Sequence, residues 1–140
     1  MPYFEWQSDF ETGVASVDQQ HKRLVQLVNK LHDAVEDSLD HTQIQETLNE
    51  LVDYTRFHFA DEEQLMIELQ DHDVTGHQRQ HQFFVSELTN LMIKYGESGN
   101  LTGLQLTAFL KGWLQEHFLK EDRELIQQYA QHRRSARQKA

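Results

Sequence analysis

The chain has 140 residues, a formal net charge of −10, one proline, six glycines and no cysteine. That length supports one domain with a real hydrophobic core. The absence of thiols excludes disulfides, thiolate metal ligands and cysteine nucleophiles, and no run of about 18 apolar residues marks a membrane span.

The opening stretch, MPYFEWQSDF, lacks a basic region followed by an apolar one and does not read as a signal peptide. A soluble cytoplasmic protein is therefore expected. Residues 1–17 do not follow a helical pattern. Phe4, Trp6 and Phe10 are apolar anchors on an otherwise polar segment, which is expected to form an extended N-terminal arm packed on the outside of the domain.

Four amphipathic segments follow. The first runs from about Asp18, an N-cap candidate, to Asp37, with Leu24, Leu27, Val28, Leu31 and Val35 as its apolar stripe. The second begins after Thr42, with Gln45 three residues on suiting a capping box, and continues through Ile44, Leu48, Leu51, Val52, Thr55 and His58 to about Leu69. The third opens at Thr75, paired with Gln78, carries Phe84, Val85, Leu88, Leu91 and Met92, and stops near Gly96 as a C′ glycine. The fourth starts at Thr102, paired with Gln105, and passes Leu106, Phe109, Leu110, Trp113, Leu114 and Phe118 to about Tyr129. Connections this short imply antiparallel neighbours. The expected fold is all-α, an up-down-up-down four-helix bundle over residues 18–130.

Residues 131–140 hold Arg133, Arg134, Arg137 and Lys139 and no acid, and read as a flexible basic tail. The first 130 residues then carry 9 Lys+Arg against 23 Asp+Glu, a net of −14. A body so acidic repels nucleic acid and anionic membrane surfaces, so neither is an expected partner.

Nine histidines without a cysteine are the compositional oddity. His32, His41, His72 and His132 fall at breaks, ends or polar faces and read as surface residues. The other five sit where a bundle interior is expected, one element per helix. The first helix offers His21, and the second His58 and Glu62. The third offers His77 and His81 in HQRQH, and the fourth His117 and Asp122 in HFLKED. Groups four apart lie about 6 Å apart along a helix and about 40° around it, so both can face one site. Five apart leaves about 140°, so a His117–Asp122 pair calls for a local widening such as a π-bulge.

Taken singly, each of these groups reads as a solvated face or an ordinary side-chain pair. Together, five imidazoles and two carboxylates would be prohibitively costly to bury without partners, and a metal removes that cost. Seven ligands exceed what one ion accepts, so two ions are implied. The donor types suit iron, manganese, zinc or copper rather than calcium or magnesium. If Glu62 and Asp122 bridge two six-coordinate ions with a further oxygen, about one position stays open, as reactive sites require.

The seven residues His21, His58-x-x-x-Glu62, His77-x-x-x-His81 and His117-x-x-x-x-Asp122 resemble the hemerythrin ligand pattern without a gap. FEW…TGVASVDQQHKRL and WLQEHF are similar to the bacterial members of that family. The resemblance covers nearly the whole chain except the basic tail. It implies two iron ions with an oxo or hydroxo bridge that bind dioxygen reversibly. His77, His81 and His117 would ligate one iron, His21 and His58 the other, with Glu62 and Asp122 bridging. It also implies an apolar oxygen pocket walled by Phe59, Trp113, Leu114 and Phe118. Oxygen storage, transport or delivery by a monomer, with an oxygen-consuming enzyme as recipient, is the expected role. An oxygen or redox sensor, or a di-iron enzyme that reduces peroxide or nitric oxide, are the competing readings.

Overall fold

A computed structural model describes residues 2–37, 41–68, 74–97, 103–121, 127 and 131. The chain forms four helices in an up-down-up-down bundle: α1 (Ala15–Glu36), α2 (His41–Glu68), α3 (Val74–Glu97) and α4 (Gly103–Glu116). α4 continues into a π-helical turn, His117–Glu121, and a short 3-10 turn, Ser8–Phe10, precedes α1. There is no strand among the described residues. α1 packs on α2 and α4, and α2 packs on α3.

The stripes anticipated from periodicity form the core. Leu24, Leu27, Val28 and Leu31 of α1 are fully buried and meet Leu48 and Leu51 of α2, Phe84 and Leu88 of α3, and Leu106, Leu110 and Leu114 of α4 in one cluster. Burying each such side chain is worth about 2 kcal/mol. Val35, Val85, Leu91, Met92, Phe109 and Trp113 line its margin, half-buried. α1 and α4 approach closely at Gly103, where an added Cβ would stand 2.5 Å from Val35 Cγ2. No described helix is long and apolar enough to cross a membrane.

The ends of the helices differ from expectation at several points. α1 begins at Ala15 after the cap residue Val14, which makes no side-chain capping bond. Asp18 is therefore not the N-cap. It lies in the first turn, and its carboxylate accepts from Thr12 N (2.9 Å), Thr12 Oγ1 (2.7 Å) and Gly13 N (3.3 Å), so it caps the preceding loop instead. Gly13 takes the left-handed φ of +86° that this reversal needs. Thr42 and Thr75 each sit second in their helix, after His41 and Val74, so neither is the cap. α3 runs through Gly96 to Glu97 rather than stopping before the glycine. Thr102, Leu69, Tyr129 and residues 132–140 lie outside the described residues.

Residues 2–14 lie along α1 and α4, with contacts from Lys22 and Phe118 to His32 and Lys111. Phe4 and Phe10 are buried against Phe118, at ring-centroid distances of 6.4 and 5.6 Å. Asn29 holds Phe4 from both sides, accepting from its N–H (2.7 Å) and donating to its carbonyl (2.8 Å). Lys111 donates to the Tyr3 carbonyl (3.0 Å), and the Tyr3 ring stacks on His32 at 3.9 Å. His32 is thus half-buried beneath Tyr3 rather than a plain surface residue, because the N-terminal segment folds back over it.

Candidate metal centre

Each helix places one part of the site by its apolar face. In a bundle with a single core stripe per helix, a polar residue in register with that stripe points inward. His21 extends the face of α1 that carries Leu24 and Val28. His58 and Glu62 extend the Leu51–Thr55 face of α2, where Thr55 donates to its own Leu51 carbonyl (2.7 Å) and so needs no other partner. His81 precedes Phe84 on α3, and His117 follows Leu114 from α4. His21, His58, Glu62, His81 and His117 are all buried.

Glu62 is the centre of the arrangement. Its Oε2 lies 3.1 Å from His58 Nε2 and 3.2 Å from His117 Nε2, and its Oε1 lies 3.4 Å from His81 Nε2. Two triads of donor atoms result, His21–His58–Glu62 and Glu62–His81–His117, the atoms of each lying within 4.8 Å of one another. One carboxylate therefore belongs to both. Both ring nitrogens of His81 are buried and make no hydrogen bond among the described residues. Glu63 Oε1 stands off at 3.6 Å from His81 Nδ1, too far for one. Buried imidazole lone pairs around a shared carboxylate suit two cations.

His77, one turn before His81, is half-buried and lies outside both triads. Asp122 lies outside the described residues. The chain does widen where that residue's pairing with His117 calls for it, since the π-helical turn starts at His117 itself. In a π-turn, five residues make little more than one revolution.

The four residues read as pocket walls divide into two groups. Phe118 stacks on His21 (4.2 Å between ring centroids), Phe59 on His81 (3.8 Å, interplanar angle 2°) and Trp113 on His117 (4.8 Å). Each covers the face of a different imidazole and so fixes its plane. Leu114 carries no ring and is fully buried in the core one turn before Phe118. Outside, between α2 and α3, an open groove of about 530 Å³ reaches Phe59, Glu63 and His81.

Two contacts were not marked by the sequence pattern. Gln20 Oε1 lies 2.8 Å from His58 Nδ1, and Gln20 Nε2 donates to Asp61 Oδ2 at 2.8 Å. The signal that was present is positional, because Gln20 and Asp61 immediately precede His21 and Glu62.

The profile of the hemerythrin HHE cation-binding domain matches residues 12–129. A bacteriohemerythrin of Pseudomonas aeruginosa is 36% identical over 122 residues, covering 87% of this chain and 78% of that protein. One from Stenotrophomonas maltophilia is 32% identical over 132 residues, covering 94% and 85%. Among solved structures, a hemerythrin with a leucine-to-alanine substitution superposes with a TM-score of 0.81 at 30% identity, covering 91% of this chain and 98% of that one.

Proposed function

This chain belongs to the hemerythrin family, and from that premise we propose that it binds dioxygen reversibly at a pair of iron ions, for oxygen storage, transport or delivery. The observation that carries the reading is the position of Glu62, one buried carboxylate shared between two histidine triads. His21 and His58 would hold one iron and His77, His81 and His117 the other, with Glu62 and Asp122 spanning both. When bound, an iron pair supplies two electrons that a dioxygen molecule can accept and return.

The protein's part is to hold and to exclude. Five imidazoles bring no charge, so Glu62 and Asp122 are the only anions of the proposed set, which limits stabilisation of higher oxidation states. Phe59, Trp113 and Phe118 fix three of the imidazole planes by stacking. Leu114, Phe118 and Phe59 are buried apolar groups that keep water from the site and slow loss of bound oxygen in reduced form.

The test is a visible spectrum of the iron-loaded, anaerobically reduced protein with two irons per chain. It is recorded before air, after air, and again after oxygen is removed. A charge-transfer band that comes with air and leaves on deoxygenation, over repeated cycles, is the expected result. One-way conversion on first contact with air would overturn reversible binding in favour of redox sensing or di-iron catalysis.

A further inference from the structure

We propose that Gln20 is a positioning residue of the metal centre, oriented by Asp61 and holding His58 in the one tautomer that can ligate. The inference rests on the di-iron reading above and deepens it.

Asp61 is exposed, and a carboxylate offers acceptors alone. The end of the Gln20 amide that lies 2.8 Å from Asp61 Oδ2 must therefore be its NH2 group. The other end is then the carbonyl oxygen, and it lies 2.8 Å from His58 Nδ1. A carbonyl oxygen only accepts, so Nδ1 carries the hydrogen. In neutral imidazole the second nitrogen then bears the lone pair. That nitrogen, Nε2, is the atom of His58 that points into the site, 3.1 Å from Glu62 Oε2.

Asp61, Gln20 and His58 thus form an amide-relayed version of the carboxylate–histidine pairing that orients metal-bound imidazoles. The relay also joins α1 to α2 across 38 positions of sequence, between His58 and Gln20. Gln20 is covalently next to His21, and Asp61 next to Glu62, so three candidate ligands of one triad are tied by one side chain. A purely adhesive surface pair would account for the Gln20–Asp61 bond but not for the carbonyl aimed at buried His58.

The experiment uses the full-length, metal-loaded chain with Gln20→Leu, Asp61→Asn and Gln20→Glu combined with Asp61→Asn. Two quantities are read: the rates at which the two irons pass to an excess of a strong iron chelator, and solvent exchange of the hyperfine-shifted imidazole N–H protons in the cobalt(II)-loaded protein. Gln20→Leu removes the acceptor. It is expected to speed loss of one iron of the two by about 10–100-fold, in line with the loss of an outer partner of a metal-bound histidine. One imidazole N–H is expected to change from slow to fast exchange. Gln20→Glu combined with Asp61→Asn, which keeps an oxygen on His58 and exchanges donor and acceptor between positions 20 and 61, should leave both readings near wild type, and Asp61→Asn alone should shift them in the Leu direction by less.

Unchanged iron loss and N–H exchange in Gln20→Leu would overturn the proposal. So would equal acceleration of both irons with no N–H altered, the signature of lost packing alone. If Gln20→Leu does not fold, exposed Asp61→Asn carries the same test. A wild-type chain that takes up fewer than two metal ions would overturn both this inference and the di-iron reading. Two ions with an indifferent Gln20 would overturn this inference only.

Discussion

Replacing Asp18 by asparagine tests how the loop before α1 holds His21, one turn further on. Burial alone pushes the Asp18 carboxyl up. The hydrogen bonds from the Thr12 side chain and backbone, with smaller contributions from the Glu11 side chain and Gly13, outweigh it and hold the group below its ordinary value. Its Oδ1 takes two of these bonds, at 2.9 and 2.7 Å, and Oδ2 takes the third, at 3.3 Å. A hydrogen bond to a charged group contributes about 1.5–3 kcal/mol when buried. The long third bond and the exposed Gly13 argue for the lower end, so the carboxylate as a whole is worth about 2–3 kcal/mol. Asparagine keeps the shape but turns an NH2 group toward a donor. At about 3 °C per kcal/mol for a chain of this size, the variant should melt about 6–9 °C below wild type at pH 7.

The pH dependence follows from the sign of the shift. A folded-state pKa below the unfolded value of about 3.9 contributes stability that is full above that value and is lost as pH falls through the folded pKa. Urea unfolding of both chains, stripped of metal, should show a constant gap from pH 7 to pH 5. That gap should then shrink below about pH 4. A gap that persists undiminished at pH 2–3, or widens there, would refute the account of Asp18 as a charged cap on residues 12–13.

Three further outcomes are expected. Gly103→Ala gains up to about 1 kcal/mol of helix propensity but sets a Cβ 2.5 and 2.6 Å from the two Val35 methyls. Overpacking of about 1–3 kcal/mol should win, Val35→Ala should rescue it in a double mutant, and a urea midpoint at or above wild type would sink the reasoning. Leu114→Ala deletes a fully buried side chain and should cost about 3 kcal/mol; as a pocket wall it should also hasten one-way oxidation of the oxygenated protein, whereas an unchanged oxidation rate would leave Leu114 a core residue only. Removing iron should lower the melting temperature and returning it should restore it, by about 4 kcal/mol at a thousandfold excess over the dissociation constant; a melting temperature indifferent to metal would show that the histidine triads are satisfied without it.

What the sequence revealed, and what it hid, divides along the range of the interactions. The stripe Leu24, Leu27, Val28, Leu31 was legible because a helix repeats every 3.6 residues and one side of it must be dry. His58 and Glu62 stood out for the same reason, as polar groups in register with Leu51 and Thr55. Asp18 misled because an acid near a helix start has two ways to serve backbone donors, and its partners, Thr12 and Gly13, lie behind it where no period marks them. Gln20 was silent because its meaning lies in residues 38 and 41 positions away, His58 and Asp61. The stacking of Phe59, Trp113 and Phe118 was half legible: their spacing placed them beside the histidines, while the planes of the rings are set only when four helices meet. The π-helical turn is the instructive case. A spacing of five puts two groups on opposite sides of an α-helix, so pairing His117 with a residue five on requires the backbone to give way, and the helix widens from His117 to Glu121. Wider hydrogen-bond rings are poorer ones, and their placement beside a buried histidine is where geometry at the site outweighs regularity of the helix.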